Sequence, residues 1–266
     1  LVKTIKENGG ELHLNKTVTE IKHSNKSITE VIARDSNNPA EQTSYTAKNY
    51  ICNFDPKQTA QMIGLENFSP SVRRKLNYEY SYSNFMVYGA VEGIDLRDYG
   101  FGKWNVFHNE HKCINQSFHE MHNESNYQNI SFAFTSPSLI VDDPKGCPEG
   151  QQLFELLTVA NYDWFKQLKY RNNRQYVLQK KHIYDRMIEI IERDYVPNFS
   201  QHVCLKILGS PTTNESYCLS PKGNSYGANM TPKNMSLFKL NHKTSFHNFY
   251  FCNASSGFAG FAKSFT

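Results

Sequence analysis

Asn248-Phe249-Tyr250-Phe251-Cys252-Asn253-Ala254-Ser255-Ser256-Gly257-Phe258-Ala259-Gly260 is the stretch from which the rest of the chain is read. It opens as a strand, because Phe249, Tyr250 and Phe251 are β-favouring aromatics in an apolar run. From Cys252 it turns small and glycine-containing, which lets the backbone approach another group closely. A strand that runs into a small-residue loop and on toward a helix is how α/β folds hold a phosphate or a cofactor ring. The same residues also suit a plain strand-to-helix turn at a packed surface, so this stretch alone leaves both readings open.

The 266 residues suffice for one large domain or two smaller ones with a sizeable core. With 39% hydrophobic and 20% charged residues the chain reads as globular. Aromatics make up 14%, which suits either a cavity for a large apolar ligand or an aromatic core. The formal charge is +4, but Lys and Arg are scattered and form no nucleic-acid stripe. No apolar run is long enough to cross a bilayer, and no h-region follows Leu1-Val2-Lys3-Thr4-Ile5-Lys6. The six cysteines are dispersed without a Cys-x-x-Cys, which predicts free thiols in a reducing, cytoplasmic compartment. The chain starts without Met in what reads as a helix, and the expectation is a fragment of a longer protein.

Upstream, Leu1 to Asn8 reads as a helix end stopped by Gly9-Gly10. Glu11 to Leu14 alternates like a short strand, and Thr17–Ile21 with Ile28–Ala33 predicts a hairpin about a polar turn. Thr43–Ala47 and Tyr50–Asn53 are further strand candidates, and Asp55-Pro56 starts a helix that Gly64 ends. Strands are also expected over Asn84–Val91, Trp104–Phe107, Ile130–Phe134, Gln152–Ala160 and Val203–Leu208. Tyr176 to Tyr195 is the longest helix candidate, and Pro197 ends it. The pattern is one segment inserted into another. Residues 1–64 and 226–266 form one layer, and 65–225 form the inserted part.

Candidate chemistry is sparse. His108, His111, His119 and His122 contain two His-x-x-His spacings, which can ligate one metal on a helix, but the surroundings read as a solvated polar loop. Asp142 and Asp143, followed by Pro144 and Gly146, read as a turn rather than an acid–base pair. There is no Walker loop and no Gly-x-Gly-x-x-Gly.

The ordered features resemble a known family. They are Gly9-Gly10-Glu11-Leu12, Thr17-Val18-Thr19-Glu20-Ile21, Tyr50-Ile51-Cys52-Asn53-Phe54-Asp55-Pro56, Met86 to Gly93, Ser136-Pro137-Ser138, Asp143-Pro144 with Pro148-Glu149-Gly150, Ser220 to Gly227, and the closing stretch. Their order is similar to FAD-dependent proteins of the amine-oxidase fold, on the phytoene desaturase, carotenoid isomerase and retinol saturase branch. The resemblance implies an α/β (α+β) chain, with a partial FAD-binding Rossmann-like domain and an inserted mixed-sheet substrate domain. It implies FAD beside an apolar tunnel for a polyene, with desaturation, saturation or isomerisation as the reaction. Val18 would meet the adenine end through its backbone. Asn253 and Ala254 would lie near the pyrophosphate and ribityl chain, and Gly257, Phe258, Ala259 and Gly260 near the flavin ring. Cys252-Asn253 stands where many relatives have Gly-Asp, which replaces a carboxylate contact by an amide one. No catalytic acid or base emerges. A lipid-like substrate implies peripheral membrane contact, and no nucleic-acid partner is expected. The alternative is a redox-inactive lipid-binding or structural module that keeps the fold.

Overall fold

Alternating β-branched and polar residues build the strands that start the fold: β1, Lys16–Ser24, and β2, Ser27–Asp35. Asn25 and Lys26 join them with φ of 47° and 62°. Two consecutive positive φ values make the tight turn that matches strand twist. In this computed structural model, which describes residues 1–141 and 146–257, eight further strands follow among the described residues. They are β3 Gln42–Tyr45, β4 Tyr50–Cys52, β5 Ser83–Glu92, β6 Val106–His108, β7 Phe132–Thr135, β8 Gln151–Ala160, β9 Val203–Gly209 and β10 Phe249–Phe251. The α-helices are α1 Val2–Glu7, α2 Pro56–Ile63, α3 Pro70–Leu76, α4 Ile114–Phe118, α5 Pro137–Ile140, α6 Tyr162–Arg171, α7 Asn173–Asp194, α8 Phe199–His202 and α9 Pro211–Cys218.

The chain divides into two compact units, Leu1–Glu79 with Tyr226–Thr266, and Tyr80–Ser225. In the first, β1-β2-β3 is an antiparallel meander and β4 pairs in parallel with β10. The β1 register slips between Val18 and Glu20, so Thr19 is an extra residue that bends the edge strand. Asp55 caps α2 by accepting from the Lys57 and Gln58 amides, both at 3.0 Å, with Pro56 in the first turn. The buried residues of α2 are Pro56, Thr59, Ala60 and Ile63.

The second unit is built on a five-stranded antiparallel sheet of order β6-β7-β8-β5-β9. Strict alternation along β8 buries Phe154, Leu156, Thr158 and Ala160 on one face. On that face Phe85, Val87, Phe132 and Phe134 join Ile183, Met187 and Ile191 of the amphipathic α7 in one core. Gly89 lies there because the Phe154 ring needs its space: a Cβ on Gly89 would stand 2.2 Å from a ring carbon.

Three local expectations change. Glu11–Leu14 forms no strand; Leu12 and Leu14 are exposed and the segment has no ladder partner among the described residues. The stretch after His111, expected as loop, folds as α4 and a π-turn over His119–Asn123, with Ser117 and Met121 buried. Helix α6 was not expected, because Phe165 is its one fully buried residue and the apolar stripe is faint. Asn161 starts it by accepting from the Trp164 amide at 2.9 Å. Asp142 and Asp143 lie outside the described residues.

Candidate cofactor site

The closing strand is tied to the opening hairpin by one side chain. Asn248 Oδ1 accepts from the Ile28 amide at 2.8 Å, and its Nδ2 donates to the Ile28 carbonyl at 2.9 Å. The amide thus pairs with β2 as a strand residue would, across 220 positions of sequence. Nearby, the His247 amide donates to the Lys26 carbonyl at 2.9 Å, and His23 meets Phe246 edge-on at 5.4 Å. Parallel pairing follows at once, with Phe249 opposite Tyr50 and Phe251 opposite Cys52. Phe249 and Phe251 are buried on the side where Phe251 stacks with Phe68 at 6.5 Å.

After Phe251 the chain folds into a small buried loop. Asn253 Oδ1 accepts from the Ser255 and Ser256 amides at 2.9 and 3.1 Å, and its Nδ2 donates to the Phe54 carbonyl at 3.3 Å. Ser256 is buried and its hydroxyl bonds the Asn253 backbone at 3.1 Å. Ser255 Oγ accepts from the Ala228 amide at 3.0 Å. Gly227, at φ 76°, permits this approach; a Cβ there would lie 2.5 Å from Ser255 Oγ and 2.9 Å from the Ala254 carbonyl carbon. Gly257, at φ 104°, donates to the Leu240 carbonyl at 2.8 Å. A cavity of about 20 Å³ borders Ala254, Ser255 and Gly257, with Lys75, Tyr78 and Leu240 opposite. That volume holds one water and no aromatic ring.

These residues meet part of what a flavin dinucleotide needs. Ala254 to Gly257 are small, so a flat group can approach their backbone. The Asn253 side chain is 6% exposed and its oxygen is used by two amides of its own loop. Val18 is half-buried on β1, an edge strand, so alternate backbone groups face away from β2. No hydrogen bond, ion pair or ring contact among the described residues joins Val18 to the closing loop. Phe258, Ala259 and Gly260 lie outside the described residues. Sequence reading missed Asn248 and the Gly227–Ser255 contact; only the glycine left a visible signal.

The histidines do not converge. His111 pairs with Glu120 at 3.0 Å, His119 with Glu124 at 3.1 Å, and His122 stacks on Phe118 at 5.1 Å. His108 instead joins Glu110 and Asp194, whose ligand atoms with its own lie within 4.8 Å of one another. Arg193 already bridges the two carboxylates, at 2.5 Å to Glu110 and 2.6 Å to Asp194. The guanidinium holds both carboxyls below their ordinary pKa. With Arg193 on both carboxylates, the group is an ion-pair network.

No protein-family model and no curated protein matches the chain. Among solved structures it is similar to an oxidoreductase from Methanosarcina mazei, with a TM-score of 0.55 and 14% identity over 96% of this chain and 47% of that one. A weaker likeness, TM-score 0.42 at 10% identity, covers 99% of this chain and 45% of the myxobacterial chondrochloren halogenase, described as a variant of FAD-dependent halogenases. The first likeness shows the fold: the chain is a mixed α/β protein built like that oxidoreductase. It spans less than half the length of either protein. None of the helices among the described residues is long and apolar enough to cross a membrane.

Proposed function

We propose that the chain carries part of an FAD-dependent oxidoreductase of the amine-oxidase fold, on the phytoene desaturase, carotenoid isomerase and retinol saturase branch. One observation carries this reading: two segments far apart in sequence close on each other through Asn248 and Ile28 and end in a loop of small residues. The unit of Leu1–Glu79 with Tyr226–Thr266 would contribute to the cofactor domain, and Tyr80–Ser225 would form the substrate domain. When bound, FAD would supply hydride acceptance or donation. The backbone of Ala254 to Gly257 would border the cofactor, with Asn253 holding the loop in shape. The substrate would be an apolar polyene, and peripheral membrane contact follows from its solubility.

A second reading, a lipid-binding module without redox chemistry, is favoured by the inward turn of the Asn253 oxygen. Titrating the purified chain with FAD separates the two. Quenched flavin fluorescence in the native protein, weakened in Gly227→Val, supports the flavoprotein. Unchanged flavin fluorescence, with a polyene still retained through gel filtration, supports the module and overturns the first reading.

A further inference from the structure

The sheet of the second unit has a face opposite the α7 core, and its register lays out what that face presents. One row across the strands is Phe107, Ala133, Leu157, Met86 and Gly209. The next is Thr135, Glu155, Tyr88 and Ile207. The third is Leu153, Ala90 and Leu205. Phe107, Leu205 and Ile207 are 77%, 51% and 56% exposed, so the rim of this face is apolar and open. Leu205 and Ile207 are neighbours on the edge strand β9, with Phe107 on the opposite edge, β6, and exposed apolar surface on such a face is a candidate binding site.

Glu155 stands within it as the one carboxylate of the three rows. Its flanking residues on the strand face, Leu153 and Leu157, are apolar. Thr135 is committed to Asn105 at 2.8 Å, and the Tyr88 hydroxyl donates to the Met86 sulfur at 3.1 Å. Among the described residues no hydrogen bond or ion pair reaches the Glu155 carboxylate. Burial alone pushes its pKa above the ordinary carboxylate value. The half-buried acid is only partly hydrated and has no protein partner, so an opposite charge carried on an apolar body would pair with it.

We propose that this face binds an apolar molecule bearing a cationic amine, with Glu155 receiving the ammonium and Leu153, Leu157, Tyr88 and Ile207 packing its hydrocarbon part. The proposal does not rest on the flavin reading, since it is argued from the sheet register and Glu155 alone and its test uses no flavin.

The test is calorimetric titration of the purified full chain, without added flavin, with n-octylammonium, n-octanol and octanoate. Octylammonium should bind at least about tenfold tighter than octanol, since a charge-assisted bond replaces a neutral one, and octanoate should not bind. Glu155→Gln keeps the shape and should bring octylammonium down to the octanol level. Equal affinity for octylammonium and octanol in the native protein, or a preference for octanoate, overturns the proposal without use of any variant. Unchanged octylammonium binding in a folded Glu155→Gln protein overturns it as well.

Discussion

Replacing Asn248 by Ala removes both hydrogen bonds that hold β10 beside β2. The bonds measure 2.8 and 2.9 Å, and Ile28, which they satisfy, is 2% exposed. Each such bond contributes about 0.5–1.5 kcal/mol net, and a buried amide or carbonyl left unmatched costs about 1–3 kcal/mol. Partial rehydration of the hairpin end makes the sum smaller than two full penalties, so the expected loss is about 2–4 kcal/mol. At 1.4 kcal/mol per tenfold, the Ile28 amide should exchange roughly 30- to 700-fold faster. Hydrogen–deuterium exchange with peptide resolution reads this directly in the peptide covering Lys26 to Val31. The β5 peptide, in the other unit, serves as the internal control. Asn248→Asp sharpens the test, because it keeps the acceptor for the Ile28 amide but sets a negative charge against the Ile28 carbonyl. It should therefore exchange at least as fast as the Ala variant. Less than threefold acceleration in Asn248→Ala, with β5 unchanged, would refute the claim that this side chain joins the two segments.

Four further outcomes are expected. Gly89→Val should destabilise the second unit by about 1–3 kcal/mol, read as an earlier urea midpoint, because the Phe154 ring fills the space a side chain would need. Asp55→Ala should lower thermal stability by about 1 kcal/mol through loss of the α2 cap. Burial pushes the Cys52 thiol up to about 11 from an ordinary 9.0. The folded state therefore keeps that proton longer than the unfolded chain does. Its contribution is intact below pH 9.0 and is lost as pH climbs toward about 11, by about 3 kcal/mol in all. At pH 8, iodoacetamide should label the exposed Cys113, Cys204 and Cys218 while Cys52 stays unmodified, as peptide mass spectrometry would show.

What the residues disclosed in advance was whatever depends on near neighbours. The hairpin of β1 and β2 announces itself by alternation about a polar turn, α7 by its apolar stripe, and β10 by three aromatics in a row. The mixed α/β class follows from that succession. Asn248 could not be read this way, since a lone Asn before an aromatic strand gives no hint of a partner 220 positions earlier. Asn253 was expected to face a cofactor; its oxygen turns to the Ser255 and Ser256 amides because a short polar side chain satisfies its own loop first. The four histidines look alike in sequence, yet carboxylates arriving from different places, such as Asp194 near His108 and Glu120 near His111, draw them apart. Glu155 is invisible to pattern reading because strand alternation assigns its position to solvent, whereas the register surrounds it with Leu153, Leu157 and Tyr88.

The parallel pairing of β4 with β10 also sets a temporal order on the ribosome. Tyr50 to Cys52 emerge early, yet their mates Phe249 to Phe251 are synthesised only after the whole intervening unit. At roughly 5–20 residues per second the wait lasts about ten to forty seconds. Through that interval β4 has an unmatched hydrogen-bonding margin, a template for nascent-chain aggregation. Prompt collapse of the five-stranded insert, whose strands are all antiparallel, would shorten the distance the late strand must search and limit the hazard.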